Sequence, residues 1–169
     1  RGANDWPKLI RSFEIMVQHT MDPSEKIALL HQIGELYELA GDEPAKAFAA
    51  FGRALGEDPG NEQTQQRLEN LARQMDAYAE LVAMYEQSLE NVVDDALRID
   101  ILGKVAQLYE TALLDASKAS DTYNRVLEID PGNFQAVDAL IEVHRRTENF
   151  QALVGAVVRK SEMVESPDD

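Results

Sequence analysis

The chain carries its own text twice. Ile33-Gly34-Glu35-Leu36-Tyr37 through Asp58-Pro59-Gly60-Asn61 returns as Val105-Ala106-Gln107-Leu108-Tyr109 through Asp130-Pro131-Gly132-Asn133, 72 residues later and without a gap. At the same interval Ile27 falls on Ile99, Leu30 on Leu102, Lys46 on Lys118 and Arg53 on Arg125, and Trp6 falls on Tyr78 and then on Phe150. A fixed period constrains the fold more than composition does, because a repeated unit can bury its apolar face only against its neighbours.

Inside the period the apolar spacing is helical. Residues 4 to 20 read as one helix, with Pro7 at a first-turn position and Trp6, Leu9, Ile10, Phe13, Met16 and Val17 in a single stripe. Asp22-Pro23-Ser24-Glu25 reads as the next start, Asp22 capping and Glu25 reaching back to the cap N–H. Gly41 is the expected left-handed terminator of that helix, and Asp42 the expected cap of the following one, ahead of Pro44. Asp58-Pro59-Gly60 stops the third helix and Asn61 caps a fourth. Each period therefore holds two helix pairs, a unit of about 36 residues. The predicted organisation is a half unit at 4–26 and units at 27–61, 62–98, 99–133 and 134–165. The predicted fold is all-α, a superhelical solenoid of about nine antiparallel helices. The repeat-periodic aromatics Trp6, Tyr37, Tyr78, Tyr109 and Phe150 lie on apolar stripes and are expected to pack between units.

Composition excludes several classes of function. Cysteine is absent, which removes disulfides, thiolate metal sites and a cysteine nucleophile. The net charge of −15 disfavours a surface that tracks phosphates, so nucleic acid is an unfavoured partner. There is no apolar run of membrane-spanning length and no signal-peptide pattern. Because Arg1 is not a start methionine, the chain is expected to be a piece of a longer protein. His19, His31 and His144 fall on three different helices without ligand spacing, and no nucleophile elbow or glycine-rich phosphate loop occurs. Asp58-Pro59-Gly60-Asn61 lacks the alternating oxygens and distal Glu of a calcium loop. No enzymatic activity, metal or cofactor is expected.

The first unit resembles a tetratricopeptide repeat (TPR): Leu30 stands in the usual Trp place, followed by Ile33-Gly34, Tyr37, Ala47, Phe51 and Pro59. The third unit keeps the pattern as Leu102, Val105-Ala106, Tyr109, Ala119, Tyr123 and Pro131, whereas the second and fourth depart from it at Glu69, Leu81 and Val93 and at Ile141, Leu153 and Glu165. Read this way, Gly34, Ala47, Ala106 and Ala119 let helices approach closely. The resemblance implies a right-handed superhelix and a concave groove, lined by the first helix of each pair, that binds a protein or peptide segment. Groove positions carried over are Ala28, His31, Glu35, Glu38 and Leu39, then Gln63, Gln66, Asn70, Arg73 and Gln74. The third unit supplies Asp100, Gly103, Gln107, Glu110 and Thr111, and the fourth Gln135, Asp138, Glu142, Arg145 and Arg146. The Lys and Asn pattern with which some TPR domains clamp a terminal carboxylate is missing.

Arginine is scarce here, so Arg73, Arg145 and Arg146, with Asn70 and Gln74, form a candidate surface for an acidic segment. The competing reading pairs them with nearby Glu and Asp residues along helix surfaces, contacts worth little individually. The leading function is a protein-interaction scaffold, and the alternatives are a structural spacer or an RNA-processing scaffold of the half-TPR kind. Helices at both ends lack a covering neighbour, so self-association through exposed apolar surface is also expected.

Overall fold

In the computed structural model, which describes residues 5–165, the described residues form helices and turns and no strands. They divide into two compact units at the Asn91–Val92 step. The first holds α1 (Trp6–His19), α2 (Pro23–Leu39), α3 (Pro44–Glu57), α4 (Glu62–Met75) and α5 (Tyr78–Leu89). The second holds α6 (Asp95–Thr111), α7 (Ala116–Ile129), α8 (Phe134–Arg146) and α9 (Phe150–Glu165). Within each unit every helix packs on the next in sequence, as a solenoid requires.

The helix starts follow from their capping residues. Asp22 accepts from Ser24 N–H at 2.9 Å and Asp94, 72 residues on, from Leu97 N–H at 2.8 Å. Asn61 takes Thr64 N–H at 2.9 Å, and Asn133 takes Ala136 N–H at 3.0 Å. In the turns before them Asp58 and Asp130 hold Gly60 and Gly132 N–H, each at 3.0 Å. Such caps satisfy backbone donors that a helix leaves open and contribute about 1 kcal/mol each.

Three local expectations are corrected. Gly41 is not left-handed; the positive φ belongs to Asp42 (50°), and Glu43 takes the cap position without a side-chain bond. Gly41 is small for another reason, since a Cβ there would lie 3.0 Å from the Trp6 ring and 3.1 Å from Tyr37 O. Glu25 does not reach back to its cap but accepts from the Thr20 hydroxyl at 2.5 Å. The left-handed positions follow the period: Asp42 recurs as Leu114 (53°), and Asp76 (55°) as Glu148 (55°).

In the first unit, Ile10 and Val17 of α1 pack on Leu29, Leu30 and Ile33 of α2 and on Ala50 and Ala54 of α3. Trp6 meets Tyr37 edge to face, ring centres 6.2 Å apart, as expected of packing aromatics. The α1 stripe is narrower than its spacing suggested, because Leu9 and Met16 stay exposed. Gly34 meets its expected role: a Cβ there would fall 2.6 Å from Phe51 Cζ, so α2 and α3 could not pack this closely with any larger residue. In the second unit Leu102 and Val105 of α6, Val126 of α7 and Val137 and Val143 of α8 are buried. Helix α9 buries none of its residues, and Phe150, expected to pack, is 67% exposed.

Candidate functional site

The two units treat the space beside the first helix of their pairs in opposite ways. In the first unit it is filled. His31 of α2 is buried, with its ring edge on to Phe51 of α3, centres 5.2 Å apart, and its Nε2 lies 2.7 Å from Thr64 Oγ1 of α4. The Thr64 hydroxyl donates to Asn61 Oδ1 at 3.0 Å. Its one proton is thereby committed, so the Thr64 oxygen accepts from an Nε2-protonated His31. Burial lowers the His31 pKa; Glu35 nearby opposes this and Arg67 reinforces it.

Arg67 of α4 closes the rest of that space. Its guanidinium donates to Glu35 at 2.8 Å, approaches Glu38 at 3.5 Å and lies 5.7 Å from the Phe51 ring centre. The candidates His31, Glu35 and Glu38 are thus brought together, but as partners of Arg67 and Thr64 in the joint between α2, α3 and α4, His31 buried and Glu35 still partly exposed. Arg67 and Thr64, which complete the joint, were missed by sequence reasoning because neither falls on a carried-over groove position.

In the second unit the corresponding place is an open cleft of about 680 Å³ between α6, α7 and α8. Six of the ten groove positions expected on α6 and α8 line it: Asp100, Gly103, Gln107, Glu110, Thr111 and Gln135. Its emptiness has a cause in the sequence. At the 72-residue interval Gly103 replaces His31, Ala136 replaces Thr64 and Ala139 replaces Arg67, and all three line the cleft. An imidazole, a hydroxyl and a guanidinium have been cut back to hydrogen or methyl.

What remains is polar on one side. Glu110, whose side chain is 18% exposed, accepts from the Tyr123 hydroxyl at 3.2 Å and from Arg146 at 3.1 Å. Burial first, and the Glu110 charge second, push the Tyr123 pKa up to about 12, so the phenol keeps its proton and remains a donor at neutral pH. Tyr123 corresponds to Phe51, and Ala106 to Gly34. A ring placed as Phe51 is placed would strike the Ala106 methyl; Tyr123 is accordingly only half-buried and forms part of the cleft wall. Val126 and Ala136 are buried liners, and Lys104 also lines the cleft.

The other candidates do not join either place. Gln66, Asn70, Arg73 and Gln74 are exposed along α4, and Arg73 has no ion-pair partner among the described residues. Arg145 pairs with Glu142 one turn back at 2.6 Å, as the competing reading of these arginines anticipates, whereas Arg146 reaches across to Glu110 of α6 at 3.1 Å. Among the described residues no group of three His, Cys, Asp or Glu could hold a metal ion, and no helix is long and apolar enough to cross a membrane.

No protein-family model and no curated protein matches this sequence. Among solved structures, a crystal structure of MamA, a TPR-like all-helical protein, aligns with 96% of this chain and 90% of its own, at TM-score 0.52 and 18% identity. A second, MamA from residue 41 to its end from Desulfovibrio magneticus RS-1, aligns with 99% of this chain and 100% of its own, at TM-score 0.50 and 15% identity. At such identities the likeness shows the fold alone, and that fold is the all-α, TPR-like helical solenoid that the resemblance of the repeat units implied.

Proposed function

We propose that this chain is a non-enzymatic protein-interaction scaffold of tetratricopeptide type, built as a 72-residue double repeat, and that it holds a segment of a partner protein in the cleft between α6 and α8. The observation that supports this reading is the cleft itself, lined by α6 and α8 positions at which TPR proteins present groove residues. Its volume of about 680 Å³ suits one or two side chains of a bound segment, being in the range of sites that enclose small ligands. The net charge of −15 favours a protein partner over a nucleic acid.

The test is selection of peptides from an unbiased displayed library on the immobilised chain, with Gly103→Trp as counter-selection. Gly103 has nothing within 4 Å of an added Cβ, so the indole has room to enter the cleft without displacing backbone. Peptides that bind the wild type and lose at least about tenfold in affinity, ~1.4 kcal/mol, on the plugged variant support the reading. If no selected peptide distinguishes the two, the cleft is not the binding site.

A further inference from the structure

The first unit records what chemistry fits the emptied place in the second. There the α2, α3 and α4 joint is completed by the Arg67 guanidinium, which bonds Glu35 of α2 at 2.8 Å, approaches Glu38, the counterpart of Glu110, at 3.5 Å, and lies over the Phe51 ring of α3. In the second unit the side chain that supplied it is Ala139, yet a carboxylate, Glu110, and an aromatic ring, Tyr123, still stand at the corresponding positions. Gln107, in place of Glu35, keeps a carbonyl acceptor where the shorter of the two Arg67 contacts was made.

We propose that the cleft between α6, α7 and α8 takes an arginine side chain from the partner segment, its guanidinium occupying the place that Arg67 fills in the first unit. The proposal rests on the reading of the cleft as the binding site and adds the chemistry of the ligand. Arginine is favoured over lysine because its planar fork can bond Glu110 and Gln107 together while its face covers Tyr123, which a point charge on a flexible stem cannot do. The surplus of 31 acidic over 16 basic residues raises the local concentration of a cationic segment. Gly103 and Ala136 leave the depth that His31 and Thr64 fill in the first unit, which gives the methylene stem of the incoming side chain somewhere to lie. Arg146 already donates to Glu110, but it is half exposed and is not among the residues lining the cleft. It bonds Glu110 Oε1 while Tyr123 bonds Oε2, and each carboxylate oxygen has capacity for a further donor.

The probe is the capped pentapeptide Ala-Ala-Arg-Ala-Ala, titrated into the full chain and followed by amide NMR shifts, beside the same peptide with citrulline or lysine at the centre. Citrulline keeps the shape and loses the charge. The arginine peptide is expected to bind at least about tenfold more tightly than the citrulline peptide and more tightly than the lysine peptide, with shifts centred on Gly103, Gln107 and Tyr123. The double variant Gly103→His/Ala139→Arg puts the imidazole and the guanidinium of the first unit into the cleft, where an added Cβ at Gly103 meets nothing within 4 Å, and is expected to abolish binding while keeping the wild-type circular dichroism and melting cooperativity. Glu110→Gln is expected to weaken the arginine peptide and to leave the citrulline peptide unchanged. Equal binding of arginine and citrulline peptides, or binding that survives the rebuilt filling, overturns the proposal. If library peptides are lost on Gly103→Trp but show no enrichment in arginine, this inference fails and the scaffold reading stands; if none is lost, both fail.

Discussion

A single pair of residues shows how the same position can hold structure in one copy of the repeat and space in the other. His31 is buried between Phe51 and Thr64, with Glu35 and Arg67 on the adjoining helix faces, and its pKa is lowered. Below its ordinary value of about 6.5 the unfolded chain therefore binds a proton that the folded chain resists. Stability contributed by the neutral ring is present above that value and is lost as pH falls, with a slope of at most about 1.4 kcal/mol per pH unit. The measurement is a comparison with a variant that lacks the titrating ring. Urea unfolding of the wild type and of His31→Gln between about pH 7.5 and pH 5.5 should show the smaller pH slope in the variant, which cannot take up the proton. Equal slopes would mean that His31 titrates in the folded chain as freely as in the unfolded one. Nothing in the local sequence announced this role. A histidine on a groove-facing position reads as a ligand contact until the hydroxyl that meets it, 33 residues away, is known.

At the scale of the helix, the punctuation was largely legible and the joints were not. Asp22 and Asn61 cap where their residue types and the following pattern said they would, because an N-cap is a local bargain between one side chain and one or two N–H groups. The left-handed residues are set instead by how two helices must meet, which is why Gly41 was chosen and Asp42 carries the positive φ. Leu114, at the position equivalent to Asp42, makes this testable. A leucine at φ 53° has its Cβ against the following carbonyl, a cost of about 1–2 kcal/mol that glycine avoids. Because Leu114 is exposed, its replacement removes no core contact. Leu114→Gly should raise stability by about 0.5–1 kcal/mol after the added flexibility of the unfolded chain is counted, read as a higher thermal midpoint. Asp42→Gly, starting from a residue that tolerates this conformation, should gain less. A destabilised Leu114→Gly would show that the Leu114 side chain makes an energetically significant contact. The cleft was legible only in part: six of its lining positions are among those the family resemblance implied, but its volume arises where truncations at Gly103, Ala136 and Ala139 on two helices coincide, and no single-helix pattern reports that.

For the molecule as a whole, two opposing forces act between copies. Leu9, Ile15 and Met16 are exposed on α1, and Phe150, Val154, Val157 and Val158 on α9, the latter four spaced to share one helix face. Apolar surface of this kind favours association. The net charge of −15 on each copy opposes it, and that repulsion is screened as the Debye length falls from about 10 Å at 0.1 M salt to about 3 Å at 1 M. Self-association should therefore strengthen as salt is added, whereas binding of a cationic segment to the cleft, which draws on the same negative charge, should weaken. Light scattering at high protein concentration is expected to show a mass that grows with salt, and Val154→Ser/Val158→Glu should hold the chain monomeric while leaving the cleft untouched. A strict monomer at every salt concentration would show that these apolar faces are too narrow or too interrupted to drive association. A mass that falls with salt would instead assign the contact to charge, as would follow if an exposed cation of one copy, such as Arg73 on α4, met an acidic surface of another.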